Sequence, residues 1–123
     1  MAVQLNHIIV SSRDKVASSR FLADILGLAP PRVVEHFMAV EVSNGVTLDY
    51  DDDEEPRSQH CAFLVSDEEF DAIFDRVRAA GLAYYADARH RRPDEINHRK
   101  DGRGFYFPDP DGHNMEVFTV PPL

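Results

Sequence analysis

The chain has 123 residues, of which 43% are hydrophobic, and its formal net charge is -9. This length and composition predict one globular domain with a substantial core and exclude a disordered chain. The negative charge argues against nucleic acid as a partner, because phosphate binding needs clustered cations. With no long apolar run, no signal-like N-terminus and a single cysteine, the sequence predicts a cytoplasmic protein without disulfides or membrane contact.

The first half of the chain predicts a strand, a helix and further strands. Residues 3–10 alternate and are rich in branched side chains, which is typical of a strand. Asp14 can cap the following helix, and Gly27 can end it. Residues 30–42 predict one or two short strands, and the Asn44-Gly45 turn leads into a strand over residues 46–50.

The second half repeats this order. Residues 58–65 predict a strand, and residues 66–81 an amphipathic helix that begins with a capping box of Ser66 and Glu69. Residues 82–86 predict a short strand, and a long basic loop follows. Two strands separated by a turn at Asp111-Gly112 complete the pattern. The whole predicts an α+β fold of two strand–helix–strand–strand–strand modules, at about residues 1–53 and 57–123, within one domain over residues 1–123.

The two copies match at chemically informative positions. Each has a histidine in its first strand, 20 or 21 residues before the glycine that ends the helix. Each also has a carboxylate in its last strand, four residues after the turn glycine. These residues are His7 and Asp49 in the first copy and His60 and Glu116 in the second. The register suggests that they act together.

Strand alternation places these side chains away from the helices. Apolar or soft residues such as Val10, Cys61 and Val117 fall on one face of their strands, where helices can pack. His7, His60 and Glu116 fall on the opposite face. A buried carboxylate is costly without a partner, and two imidazoles with one carboxylate suit Fe, Mn, Ni or Zn with coordination positions left open. The sequence therefore predicts a divalent metal on these three residues, with Asp49 as a candidate fourth ligand, and Cys61 as a core residue.

Three stretches carry a resemblance to a known family. "LNHIIV", "QHCAFLV" and "FYFPDPDGHNMEVF" resemble the vicinal oxygen chelate superfamily of glyoxalases, bleomycin resistance proteins, fosfomycin resistance enzymes and extradiol dioxygenases. The resemblance implies two βαβββ modules that form a cupped mixed sheet with helices on its outer face, usually in a homodimer. It also implies a metal on His7, His60 and Glu116 that binds neighbouring oxygens of a small substrate.

The resemblance leaves the reaction open, because the superfamily shares a mode of binding and not one reaction. Glyoxalases often have Glu where this chain has Asp49. Fosfomycin resistance enzymes have a threonine where this chain has Ile9. Extradiol dioxygenases add a histidine and a tyrosine beside the metal, roles that His98 and Tyr106 could fill. The expected activity is thus isomerisation or lyase chemistry, transfer, or dioxygenation.

The basic loop between residues 87 and 104 is unusually long for a connection, which favours a functional role. We interpret it as a lid in which Arg99, Lys100 or Arg103 meets an anionic group of the substrate and His98 acts as an acid or base. A solvated loop is the plain alternative. Tyr106 is a catalytic candidate, although the alternation leaves open whether it or Phe105 and Phe107 face the site.

One alternative belongs to a different functional class. A metal-free pocket that sequesters a cationic drug, as in bleomycin resistance proteins, could use the acidic run at residues 49–55. Such a protein would bind its ligand without turnover and would not respond to chelators. The presence of the histidine and glutamate triad favours the enzyme.

Overall fold

A computed structural model describes residues 2–123, in two compact units that meet in sequence at Arg57 and Ser58. Among these residues, no helix is long and apolar enough to cross a lipid bilayer. The elements are β1 (His7–Ser12), α1 (Lys15–Leu26), β2 (Arg32–Val34), β3 (Phe37–Glu41), β4 (Thr47–Asp52), β5 (His60–Leu64), α2 (Asp67–Ala79), a short 3-10 turn (Arg99–Asp101), β6 (Gly104–Pro108) and β7 (Asn114–Phe118).

The first unit is a sheet of four strands with one helix. The strand order is β1-β4-β3-β2, with β1 parallel to β4 and the other neighbours antiparallel. Helix α1 begins at Asp14, whose side chain accepts a hydrogen bond from the Ala17 amide, and it ends at Gly27 with φ of 71°. Both ends follow from the sequence, since Asp satisfies the first free amides and glycine adopts the left-handed conformation without strain.

The second unit repeats the part of this topology formed by β1, β4 and β3. Its sheet has three strands in the order β5-β7-β6, with β5 parallel to β7 and β6 antiparallel to it. Helix α2 begins at the predicted capping box, in which Ser66 and Glu69 exchange hydrogen bonds. The α+β fold of two related modules is therefore confirmed.

The prediction of a strand over residues 82–86 is wrong. Only Tyr85 pairs there, through isolated bridges to Tyr106 and Pro93. The position corresponds to β2 of the first unit, but the segment turns away from the sheet edge into the long loop before it forms a regular ladder. Its backbone hydrogen bonds are divided between β6 and the loop. Tyr85 exchanges two with Tyr106 of β6, and Ala86 donates one to the Arg92 carbonyl in the loop.

An aromatic cluster on α2 fixes which face of the second sheet is the core. Phe105 of β6 packs edge-on against Phe70, with ring centroids 5.4 Å apart, and lies 5.3 Å from Phe74. Phe70, Phe105, Met115 and Val117 are fully buried. Truncating one such phenylalanine to alanine typically costs about 3–5 kcal/mol. Because the helix packs here, the alternate residues of β6 and β7 lie on the other face.

Candidate functional site

The face of the second sheet opposite α2 carries the polar residues, and we call it the site face. It is formed by His60 on β5, Asn114 and Glu116 on β7, and Tyr106 on β6. In the strand register, His60 is level with Asn114, and Tyr106 is level with Glu116. Three adjacent strands therefore bring these side chains together. On β6 it is Tyr106 that faces the site, and Phe105 and Phe107 face the helix.

His60 and Glu116 are in direct contact. The His60 Nε2 atom lies 2.9 Å from Glu116 Oε1. The side chain of Glu116 is only 14% exposed, whereas that of His60 is 49% exposed. The carboxylate therefore has the partner that its burial requires, and the imidazole remains open to solvent on one side.

This pair fits a divalent metal. Two ligand atoms that each bind one ion at about 2.1 Å and at right angles to each other stand about 3 Å apart. An imidazole nitrogen and a carboxylate oxygen are also the ligand types that Fe, Mn, Ni and Zn accept. The observed 2.9 Å between Nε2 and Oε1 agrees with the expected distance, and the two atoms are of the expected types.

Tyr106 lies next to this pair and is hydrogen-bonded on both sides. Arg99 Nη1 donates to the Tyr106 hydroxyl at 2.8 Å, and the hydroxyl also interacts with the Glu116 carboxylate. Burial raises the pKa of Tyr106, and the neighbouring Glu116 charge raises it further, whereas the hydrogen bond from Arg99 lowers it. The hydroxyl therefore keeps its proton at neutral pH and can donate it to the carboxylate. Its position lets it orient Glu116, and a catalytic role of Tyr106 stays a prediction.

The other predicted loop residues have different surroundings. Arg99 lies over the Tyr106 ring, so the loop does reach the site face. The exposed His98 has a ring nitrogen 3.2 Å from the Gly102 carbonyl of its own loop, and its catalytic role stays a prediction. Arg103 cannot serve as a free anion-binding group, because it pairs with Asp71 at 2.7 Å and with Asp67 at 3.2 Å. Arg103 instead fastens the end of the loop to α2.

His7 lies in the first unit, where it is exposed and hydrogen-bonded to the neighbouring Asn6 side chain. In the register of β1 and β4, Asp49 is level with Ile9, two residues beyond His7. Glu116 is level with Ala62, two residues beyond His60, so both sheets place the histidine and the carboxylate in the same relation. Within the first unit, however, Asp49 accepts a hydrogen bond from Thr47. The role of His7 as a ligand, and of Asp49 as a fourth, stays a prediction.

A second group of potential ligands lies in the turn between β6 and β7. Asp109, Asp111 and His113 are buried residues, and one ligand atom of each lies within 4.8 Å of those of the other two. Asp109 Oδ1 accepts hydrogen bonds from the amides of Asp111 and His113, and His113 Nδ1 accepts one from the Gln59 amide. A neutral imidazole that accepts at Nδ1 carries its proton on Nε2, which then has no lone pair for a metal. We therefore interpret this group as the structural support of the turn.

Substitutions of Asp109 test this structural role, because they separate its hydrogen bonds from its charge. Its Oδ2 atom is buried without a hydrogen-bond partner among residues 2–123, and burial raises the pKa of the carboxyl. We expect Asp109→Ala to lower the free energy of unfolding by about 2 kcal/mol, because two amide hydrogen bonds are lost. Asp109→Asn keeps the acceptor and removes the buried charge, so its stability at pH 7 should equal or exceed that of the wild type.

The pH dependence has a definite sign. A carboxyl with a raised pKa binds more protons in the folded state, so its contribution to stability decreases as the pH rises from the unfolded pKa through the folded one. Urea denaturation between pH 4 and 7 should show this decrease in the wild type and a smaller one in Asp109→Asn. If Asp109→Asn is as unstable as Asp109→Ala, the charge itself is required and our interpretation is wrong.

Cys61 lies on the helix side of β5, as predicted, and is 8% exposed. Burial raises the pKa of its thiol, and the nearby Asp109 charge adds to this effect. Since the thiolate is the reactive form, iodoacetamide should alkylate native Cys61 at least about tenfold more slowly than an unfolded thiol. Mass spectrometry of alkylation time courses, with and without urea, checks this. Equal rates would place Cys61 outside the core.

The drug-binding alternative would need the acidic run at residues 49–55. Part of this run instead makes contacts with the start of α1. Asp52 accepts a hydrogen bond from the Lys15 amide at the first turn of the helix, and its carboxylate lies 3.9 Å from Lys15 Nζ. An open depression beside it is lined by Arg13 as well as by Asp52, Asp53 and Glu54. These contacts account for part of the acidic charge by local structure and do not favour a cation-binding pocket.

The family is settled by comparison with known proteins. Residues 4–117 match the model of the "Glyoxalase/Bleomycin resistance protein/Dioxygenase superfamily". The chain belongs to this superfamily. Among solved structures of the superfamily fold, "Oxidase ChaP-H2" is 58% identical with a TM-score of 0.96, covering 98% of this chain and 96% of that one. "Oxidase ChaP-H1" is 55% identical with a TM-score of 0.96, covering 98% of both chains.

The name of one relative refers to a metal. The "Metallothiol transferase FosB" of Lysinibacillus sphaericus (strain C3-41) is 32% identical over 127 residues, which cover 97% of this chain and 84% of that protein. The resemblance inferred from the sequence is thus confirmed, and so is the expectation of a metal-dependent enzyme that acts on a small molecule. The superfamily leaves the reaction and the substrate open, and the drug-sequestering alternative is not favoured.

Proposed function

We propose that this chain is a metal-dependent oxidase that binds a small substrate through neighbouring oxygen atoms. The observation that carries the proposal is the contact between His60 and Glu116 on adjacent strands, 2.9 Å apart, with Tyr106 behind the carboxylate. His7, supplied by the same chain or by the second chain of a homodimer, would be the third ligand. A bound divalent metal would act as a Lewis acid and as a template for the oxygen atoms.

The choice of oxidation rests on the degree of similarity. The two structures named as oxidases are 55% and 58% identical to this chain, whereas the metallothiol transferase is 32% identical. Oxidation requires an oxidant, and molecular oxygen is the natural candidate for a site that leaves metal positions open. An extradiol-type dioxygenation is included in this proposal.

The chain's own residues would perform the preparatory steps. Glu116 and His60 would hold the metal on rigid strands, and Tyr106 would fix the orientation of the carboxylate through its O–H donor. Arg99, which donates to the same hydroxyl, would place a positive charge beside the substrate. This charge supports a substrate with anionic oxygens, such as an ionised phenol or enol.

The test begins with the metal content of protein purified without an affinity tag, measured by elemental mass spectrometry beside His60→Ala. About one transition metal per chain, lost in the variant, is expected. Anaerobically iron-loaded protein should then consume oxygen with catechols or related hydroxylated aromatics.

Two other results would change the conclusion. Conjugation of glutathione to fosfomycin without oxygen uptake would make the chain a thiol transferase. Failure to retain any divalent ion would overturn the metal centre and restore the sequestering pocket. Sedimentation analysis of the same sample tests the homodimer separately.

A further inference from the structure

Asn97, in the long loop, ties two segments of the second unit together. Its side-chain Nδ2 atom donates to the Ala86 carbonyl at 2.8 Å, across the loop. Its backbone forms an antiparallel bridge with Gly104 at the start of β6, through two hydrogen bonds of 2.8 and 3.0 Å. Asn97 therefore joins the beginning of the loop to its end.

The side-chain amide of Asn97 occupies the space that a side chain at position 104 would need. Gly104 is buried, and a Cβ atom built on it would lie 3.1 Å from Asn97 Oδ1 and 3.3 Å from Asn97 Nδ2. Such short contacts are uncommon for a Cβ atom. The amide therefore packs directly on the backbone of β6, and its position is determined by packing as well as by hydrogen bonds.

Arg99 follows Asn97 by two residues, and its backbone is fixed on both sides. Asn97 Oδ1 accepts a hydrogen bond from the Arg99 amide at 3.4 Å, and the Gly102 amide donates to the Arg99 carbonyl at 2.9 Å. The Arg99 side chain reaches Tyr106 of β6, where Nη1 donates to the hydroxyl at 2.8 Å and the guanidinium lies 5.6 Å from the ring centre. In the part of the chain that the structure describes, no carboxylate forms an ion pair with Arg99. The position of this cation therefore depends on its backbone and on Tyr106.

We propose that Asn97 is a positioning residue that holds the Arg99 guanidinium over the Tyr106 ring on the site face. Tyr106 in turn interacts with Glu116, whose carboxylate contacts His60. The inference rests on the proposed function, because it takes the anionic substrate to meet Arg99 at that centre. A side chain that is held in place before binding loses less conformational freedom on binding, so Asn97 strengthens substrate binding without touching the substrate.

The first experiment needs neither metal nor substrate. In protein labelled with ¹⁵N-arginine, the Tyr106 ring should displace the Nε–H signal of Arg99 from those of exposed arginines, and Arg99→Gln assigns this signal by its loss. Asn97→Ala should return the signal to the range of exposed arginines, because the backbone of Arg99 is then no longer fixed. An unmoved signal in folded Asn97→Ala would overturn the proposal.

The matched control is Thr119→Val, which loosens the other end of the loop. Thr119 Oγ1 accepts a hydrogen bond from the Arg103 amide at 2.9 Å, and valine has a similar shape without the hydroxyl. Each variant removes a hydrogen bond that fastens the loop, so each should lower the melting temperature by about 3–6 °C. Only Asn97→Ala should move the Arg99 signal. An equal movement in Thr119→Val would assign the effect to general loosening of the loop and would refute a specific role of Asn97.

The second experiment is a double-mutant cycle on the binding of 4-nitrocatechol to the zinc-loaded protein, followed by visible absorbance. Arg99→Gln should weaken binding about tenfold, the scale of one hydrogen bond to a charged group, and Asn97→Ala about fivefold. The double variant should bind about as weakly as Arg99→Gln alone, because Asn97 acts only through Arg99. If the two losses multiply to about 50-fold, Asn97 acts by another route and the proposal is refuted.

The outcomes separate the two proposals. If zinc-loaded wild type binds the probe and Asn97→Ala binds it equally well, the role of Asn97 is refuted and the metal centre stands. If zinc-loaded wild type does not bind the probe at all, the proposed centre fails, and the contribution of Asn97 to substrate binding fails with it.

Discussion

Replacing Glu116 by glutamine is expected to reduce the affinity for a divalent metal by more than about 100-fold. Loss of a hydrogen-bond partner behind a ligand already costs about 10–100-fold, and this change removes the anionic ligand itself. Zinc binding in competition with a chelating dye measures the effect. The apo protein should stay folded, because glutamine can still accept a hydrogen bond from His60 in the place of the observed 2.9 Å contact.

The matched control for this variant is Glu68→Gln. Glu68 lies in the exposed first turn of α2 and carries the same charge as Glu116. The control should bind zinc like the wild type, which excludes a general effect of net charge. Unchanged affinity in Glu116→Gln would show that the carboxylate is not a ligand, and its contact with His60 would then be a partly exposed hydrogen bond with another purpose.

Tyr106→Phe is expected to lower metal affinity about 10-fold to 100-fold while leaving the fold intact. The variant keeps the ring and removes the hydroxyl that accepts from Arg99 and interacts with Glu116. Carboxylates that hold a metal lose orientation when their outer hydrogen bonds are removed. The same dye competition measures the loss, and the oxygen uptake assay should show reduced turnover at saturating metal.

Tyr84→Phe provides the comparison. Tyr84 packs edge-on against Phe74 and Phe105 on the helix side of the sheet, away from the site face. Its loss of a hydroxyl should not change metal affinity. A Tyr106→Phe variant with full metal affinity but no turnover would instead make Tyr106 a residue that contacts substrate, which is the role suggested by the sequence.

The parts of the site that lie on regular strands could be predicted from the sequence, because period-two alternation assigns a face to each side chain. His60 and Glu116 were identified in this way, and their contact depends only on the register of two parallel neighbours. Asn114 lies on the same face by the same rule and could have been identified as well. The capping residues Asp14 and Ser66 were predictable for a similar reason, since each acts on amides two or three residues away.

The long loop could not be predicted, because its contacts follow no period. His90 Nε2 lies 2.8 Å from Asn114 Oδ1 in a loop whose backbone is left-handed at His90, Asp94, Lys100 and Asp101. No glycine marks these positions in the sequence. The sequence suggests that Arg103 could bind an anion. In the structure it pairs with Asp67 and Asp71, which lie more than 30 residues earlier on α2. Long-range pairs of this kind depend on the tertiary structure, which local pattern does not specify.

The position of β7 in the second sheet has a consequence for folding kinetics. β5 and β6 lie on either side of β7 and pair with it, and β4 occupies the same middle position between β1 and β3 in the first sheet. In each unit the last strand to be synthesised is thus the one that joins the others. A ribosome-bound chain cannot bring His60 to Glu116 until β7 has emerged, and closing that long loop should slow folding of the unit more than it weakens it.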